Sequence, residues 1–127
     1  MQSVVIDDNP IDLKRFTRAL VERHQSNVLA VSSLTGNLER IVRHNPMMVL
    51  LDDRLGPVLT AEDSLKSISE FAEALPVVVM SSDVAPSRRA QLIRLGAFEC
   101  VEKDSLDAAM LDLIIEMAKQ RNAVIRR

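Results

Sequence analysis

The sequence predicts an α/β protein of the (βα)5 type, a single parallel sheet wound on both faces by helices. Three observations carry this expectation. Short runs that are apolar throughout recur along the chain, as in Val49-Leu50-Leu51 and Val77-Val78-Val79-Met80. Amphipathic stretches with helical spacing lie between them, and Pro, Gly or Asn punctuates most of the joins. Strands that are apolar on both faces belong in a parallel sheet covered on two sides.

Each element has its own signal. Ser3–Ile6 is a compact β-branched run, and Asp7-Asp8-Asn9-Pro10 follows it. Asn9 suits a helix cap and Pro10 the first helical turn, after which Leu13, Phe16 and Leu20 recur at helical spacing. Val28–Val31 is the second strand. Beyond Gly36, the positions Leu38, Ile41 and Val42 mark a second helix, with Pro46 after its end. Met47–Leu51 is the third strand, running into Asp52-Asp53, and Gly56-Pro57 makes a turn. Leu65, Ile68, Ala72 and Leu75 give a third helix, with Thr60 and Asp63 as a capping box at its start. Val77–Met80 is the fourth strand and ends on Ser81-Ser82-Asp83. Pro86–Leu95 is a fourth helix closed by Gly96. Phe98–Val101 is a weak fifth strand, and Ala109–Met117 a strong fifth helix. Right-handed crossovers then give the flavodoxin-like strand order 2-1-3-4-5.

A chain of 127 residues is the size of one domain, so residues 1–127 are expected to share one core. The fifth helix is expected to reach about residue 121, with 122–127 as a tail. A net charge of −2, from 16 basic and 18 acidic residues, argues against a general nucleic-acid or membrane-surface binder. Three Phe with no Tyr or Trp leave no stacking platform for single-stranded nucleic acid. Cys100 is the only cysteine, which excludes an intrachain disulfide and a zinc cluster of the cysteine type. No signal peptide and no membrane-spanning run is apparent, so the expected location is cytoplasmic. Met47 and Met48 read as strand core, and Cys100 as a small buried hydrophobe. His24 and His44 fall at helix ends, where a positive charge suits the helix dipole, and read as structural.

In sheets of this kind the ligand site lies beyond the carboxyl ends of the strands. Those ends deliver Asp7 and Asp8, then Asp52, Asp53 and Arg54, then Ser81, Ser82 and Asp83, then Glu102 and Lys103. The strand order puts Asp52 in the middle. Each pair of carboxylates at ~4 Å costs about 4 kcal/mol at an effective dielectric of ~20. A hard divalent cation removes that cost, and an all-oxygen site suits Mg²⁺. A metal alone does not need Ser81 and Lys103, whereas a phosphoryl group on Asp52 does, because its oxygens want a donor and a cation.

Four segments resemble the receiver domains of two-component response regulators. They are Val4 through Pro10, Pro46 through Asp52, Pro76 through Ser82 and Gly96 through Lys103, in order and at the family's spacing. The resemblance implies a phosphorylation switch rather than an enzyme acting on a separate substrate. Asp52 would accept a phosphoryl group from a sensor histidine kinase or a histidine phosphotransfer protein. Asp8 would bind Mg²⁺ (or Mn²⁺) directly, Asp7 through water, and the Arg54 carbonyl would complete the shell with Asp52. Ser81 and Lys103 would contact the phosphoryl oxygens. Arg54, Ser82, Asp83 and Cys100 are the expected modulators. Arg54 is read as pairing with Asp83 or lying across the path of attacking water.

The chain departs from the family at Cys100, where an aromatic residue is usual, at Asp104, where proline is usual, and at Thr60, where glycine is usual. The first departure puts the usual aromatic switch in doubt. The expected output is a downstream protein or a covalently linked module, and the resemblance leaves room for a homodimer on the helix 4–strand 5–helix 5 face.

Two readings from other classes are weaker. A haloacid-dehalogenase-type hydrolase wants a carboxylate two residues after its nucleophile, where this chain has Arg54. A flavodoxin-like electron carrier lacks its hydroxyl-rich loop and its aromatics here. The remaining alternative is a pseudo-receiver, an interaction module that keeps the fold without phosphorylation, and the full acidic, hydroxyl and lysine set argues against it.

Overall fold

The computed structural model describes residues 1–72 and 75–125, with side chains as far as residue 123. Its main sheet has five parallel strands: β1 (Gln2–Ile6), β2 (Asn27–Val31), β3 (Met48–Asp52), β6 (Val77–Ser81) and β7 (Glu99–Glu102). Their spatial order is β2-β1-β3-β6-β7, which is the expected 2-1-3-4-5 once a small hairpin is counted separately. That hairpin, β4 (Arg54–Leu55) and β5 (Leu59–Thr60), forms around Gly56-Pro57, where the sequence predicts only a turn. Gly56 has φ +71°, a conformation that glycine adopts without a Cβ clash.

Alternation along the strands sorts the core into two layers. Val4, Ile6, Val49, Leu51 and Val79 face one side, where α2 (Leu38–Arg43), α3 (Ala61–Phe71) and α4 (Pro86–Arg94) supply Ile41, Leu65, Ile68 and Leu92. Val5, Met48, Leu50, Val78 and Met80 face the other, against Phe16 and Leu20 of α1 (Pro10–His24) and Leu111, Ile115 and Ala118 of α5 (Ala108–Ile125). The central strands are buried along their apolar runs, with only the polar ends Gln2 and Asp52 partly exposed. Removing a side chain such as that of Leu50 costs about 2–5 kcal/mol.

The caps follow the local chemistry. Asn9 Oδ1 accepts from the backbone N–H of Ile11 (3.0 Å) and Asp12 (3.2 Å), with Pro10 at the first helical position. Thr60 and Asp63 form a reciprocal capping box on α3. Gly96, at φ +110°, follows the end of α4. His24 Nε2 lies 2.8 Å from Asp112 Oδ1 on α5, and His44 Nε2 lies 2.8 Å from the Asn27 carbonyl.

Two helix ends differ from the sequence reading. Helix α3 stops at Phe71, and Ala72 is extended. Leu75 still packs against the core, but from the segment leading into β6; a residue before proline avoids the helical region. Helix α5 passes residue 121 and runs to Ile125. No Pro or Gly interrupts it, and the Asn122 amide donates to the Met47 carbonyl at 3.1 Å, tying the last turns to the start of β3. Residues 126 and 127 of the expected tail lie outside the described residues. Among the described residues, no helix is long and apolar enough to cross a membrane.

Candidate phosphoacceptor site

Strand β1 ends on Ile6, so Asp7 leaves the sheet while still covered and is fully buried. Its backbone N–H bonds the Val31 carbonyl at 3.1 Å, and its Oδ1 accepts from Asn9 N–H at 2.9 Å. Asp8 is exposed, and its Oδ2 accepts from the Gly56 N–H of the hairpin tip at 2.8 Å. Asp52 closes β3 in register with Met80 of β6. One carboxylate oxygen from each of Asp7, Asp8 and Asp52 lies within 4.8 Å of the others.

Lys103, just past β7, reaches across this acidic corner. Its Nζ lies 2.8 Å from Asp7 Oδ2, 3.0 Å from Asp12 Oδ2 and 3.4 Å from Asp52 Oδ1. Burial works to lower the lysine's pKa, but its bonds to Asp7 and Asp12 and the charge of Asp52 outweigh it and hold the group above its ordinary value. Asp52 moves the opposite way for a carboxyl: burial, then the charge of Asp7, raise it to about 6, with Lys103 opposing. The site thus stores carboxylate repulsion that one lysine only partly offsets.

Ser81, the last residue of β6, is buried, and its hydroxyl donates to Asp53 Oδ2 at 2.5 Å while accepting from Asp83 N–H at 3.0 Å. Asp53 is itself fixed. Its N–H bonds the Met80 carbonyl at 2.9 Å, and its Oδ1 lies 2.6 Å from Arg88 Nη2 on α4. Arg88 Nη1 continues to Glu62 Oε1 on α3 at 2.8 Å.

The structure therefore brings Asp7, Asp8, Asp52 and Lys103 together, and ties the Ser81 hydroxyl to Asp53. Arg54 is exposed on β4 with no ion pair among the described residues, and the expected pairing with Asp83 does not form; Asp83 Oδ1 accepts instead from Ala85 N–H at 3.0 Å. Ser82 is exposed. Cys100 is buried among the α2–α4 layer, and burial pushes its thiol pKa up, so it stays a thiol. The sequence reading missed Asp12, Glu62 and Arg88. Asp12 had a signal, as an acidic residue in the first turn of the helix that starts directly after Asp7-Asp8-Asn9. Glu62 and Arg88 had none: only the way α3 and α4 lie on the sheet brings Arg88 to Asp53 and Glu62 to Arg88.

Residues 4–115 match the family model for the response regulator receiver domain. The chain belongs to that family: it is a receiver domain of two-component response regulators, a regulatory domain rather than a conventional enzyme. The two-component response regulator ORR7 of Oryza sativa subsp. japonica is 33% identical over 96 residues, which cover 74% of this chain and 45% of the relative, so the chain spans less than half of that protein's length. Among solved structures, a response regulator receiver domain protein from Clostridium thermocellum is similar at TM-score 0.84 and 25% identity, over 98% of each chain. The signal receiver domain of the putative response regulator NarL from Mycobacterium tuberculosis is similar at TM-score 0.79 and 26% identity, over 93% of this chain and 95% of that one.

Proposed function

We propose that this domain is a phosphorylation switch whose acceptor is Asp52 and whose donor is the phosphohistidine of a sensor kinase or a phosphotransfer protein. The observation that carries the reading is the convergence of Asp7, Asp8 and Asp52 within 4.8 Å beside the ammonium of Lys103. In the transfer, an Asp52 oxygen forms the new O–P bond as the donor's N–P bond breaks, and the electron pair returns to the imidazole nitrogen. Lys103 can swing from its carboxylate partners onto a phosphoryl oxygen, since a flexible ammonium exchanges partners readily. Ser81 would donate to a second oxygen.

The donor set fits a hard divalent cation. Three carboxylates at one corner, one of them exposed, suit Mg²⁺ with retained waters better than any softer metal. Asp8, Asp52, Asp7 through water and the Arg54 carbonyl would hold it, and when bound it would neutralise charge on the transferring phosphoryl group. No observation at the site favours a phosphorylation-independent pseudo-receiver. For the output, the face formed by α4, β7 and α5 leaves Leu113 (54%) and Met117 (39%) exposed, an apolar surface that suits a second copy, a downstream protein or a linked module.

The test is phosphorylation by acetyl phosphate with Mg²⁺, read by intact mass. Wild type should gain one phosphate, and Asp52→Asn should gain none while remaining folded. A label on Asp52→Asn at the wild-type level would remove the assignment.

A further inference from the structure

A serine hydroxyl has one proton to give. In Ser81 that proton is committed to Asp53 Oδ2 at 2.5 Å, a charge-assisted bond, and the oxygen also accepts from Asp83 N–H. The same hydroxyl therefore cannot donate to a phosphoryl group on Asp52 until it leaves Asp53. Asp53 is not a loose partner that would follow it. The other carboxylate oxygen is gripped by Arg88, the guanidinium continues to Glu62, and the Asp53 backbone is tied to Met80. Arg88 and Asp53 are more than three-quarters covered and Glu62 about two-thirds, where such contacts are screened less than at an open surface.

We propose that Asp53 is a latch on the switch hydroxyl: anchored by Arg88 of α4 and Glu62 of α3, it holds Ser81 in the resting position, and phosphorylation must break the Ser81–Asp53 bond. The inference rests on the acceptor reading above and adds a positioning residue to it. It also gives α4 a direct link to the site. When Ser81 leaves, Asp53 loses a hydrogen bond, its balance between Ser81 and Arg88 changes, and the strain is delivered to the helix that carries Arg88.

A thermodynamic cycle tests this. Binding of beryllofluoride with Mg²⁺, a phosphoryl mimic, is measured by calorimetry for wild type, Asp53→Ala, Ser81→Ala and the double variant. Removing the latch should tighten binding about tenfold (~1.4 kcal/mol) when Ser81 is present and change it less than twofold when Ser81 is absent. Arg88→Gln, which keeps a polar group in place and serves if Asp53→Ala does not fold, should tighten binding severalfold with the same dependence on Ser81. In the free Asp53→Ala protein, the Asp83 amide should exchange faster, because the hydroxyl that accepts its proton is no longer fixed.

An equal change in both Ser81 backgrounds would show that Asp53 acts through its charge alone and overturn the latch. Weaker binding by Asp53→Ala would do the same. If folded wild type binds no beryllofluoride at all, the acceptor reading fails first and the latch with it.

Discussion

Lys103 stands closer to Asp7 than to Asp52: its ammonium is 2.8 Å from Asp7 Oδ2 and 3.4 Å from Asp52 Oδ1. The lysine thus takes over part of the neutralisation that a cation would provide, and it does so from the buried side of the site. A cation arriving at the exposed side, beside Asp8, meets carboxylates that still repel one another.

Mg²⁺ should therefore stabilise the unphosphorylated protein by mass action. At a hundredfold excess over Kd the gain is ~2.7 kcal/mol, on the order of 10 °C in Tm for a chain of this size. Lys103→Met should lower the metal-free Tm and enlarge the Mg²⁺-dependent gain. A melting curve indifferent to saturating Mg²⁺ would contradict the metal assignment.

The raised pKa of Asp52 makes a signed prediction for the metal-free protein. Its folded value is about 6, against an ordinary 3.8, so the fold favours the neutral carboxyl. That stabilisation is complete below about pH 3.8 and is lost as pH rises through about 6. Asp52→Asn stays neutral throughout. In chelator at pH 7.5 it should melt roughly 3–6 °C above wild type, and near pH 4 the two should melt together. A constant difference across this range would mean that the carboxylate charge is not the cause.

Arg54 is exposed on the hairpin, unpaired with Asp83, and lies two residues after the proposed acceptor. Its side chain is free to lie over a phosphoryl group and slow the approach of water. Arg54→Ala should shorten the phosphorylated lifetime severalfold, measured as loss of added mass after removal of the donor. Equal decay rates would show that the side chain points elsewhere.

Cys100 is buried at a position where the family usually carries an aromatic residue, and its side chain is too small for rotation to reshape the surface. Activation should then be felt through Ser81 and the segment after it. Amide hydrogen exchange with beryllofluoride and Mg²⁺ should change over 82–88 and change little over 98–103. The reverse pattern would be incompatible with this route.

How much of this was legible in the sequence depends on range. The strand order and the two-faced burial followed from runs such as Val77-Val78-Val79-Met80, whose uniform apolarity leaves little choice of environment. Asp7, Asp8, Asp52 and Lys103 could be grouped because each sits at a strand end, and the topology places strand ends side by side. Helix ends were less legible. Leu75 matched the helical period of α3 yet packs from outside any helix, because hydrophobic spacing records burial and not the backbone that achieves it. Arg88 and Glu62 sit on two different helices, so the pairing of Arg88 with both Asp53 and Glu62 depends on how those helices lie on the sheet, which no local pattern encodes.

The sheet also separates two kinds of behaviour. Lys103, Asp12 and the contacts of Arg23 and His24 with Asp112 bind the α1 and α5 side into one braced layer. The Ser81–Asp53–Arg88–Glu62 chain runs to the helices of the opposite layer. An event at the proposed acceptor Asp52 would then have a charged route into the α3–α4 layer through Ser81 and Asp53, and a separate one into the α1–α5 layer through Lys103. A protein that loads the domain by resting on α1 and one that reads it from α4 would touch different halves, and neither would need to leave for the other to arrive.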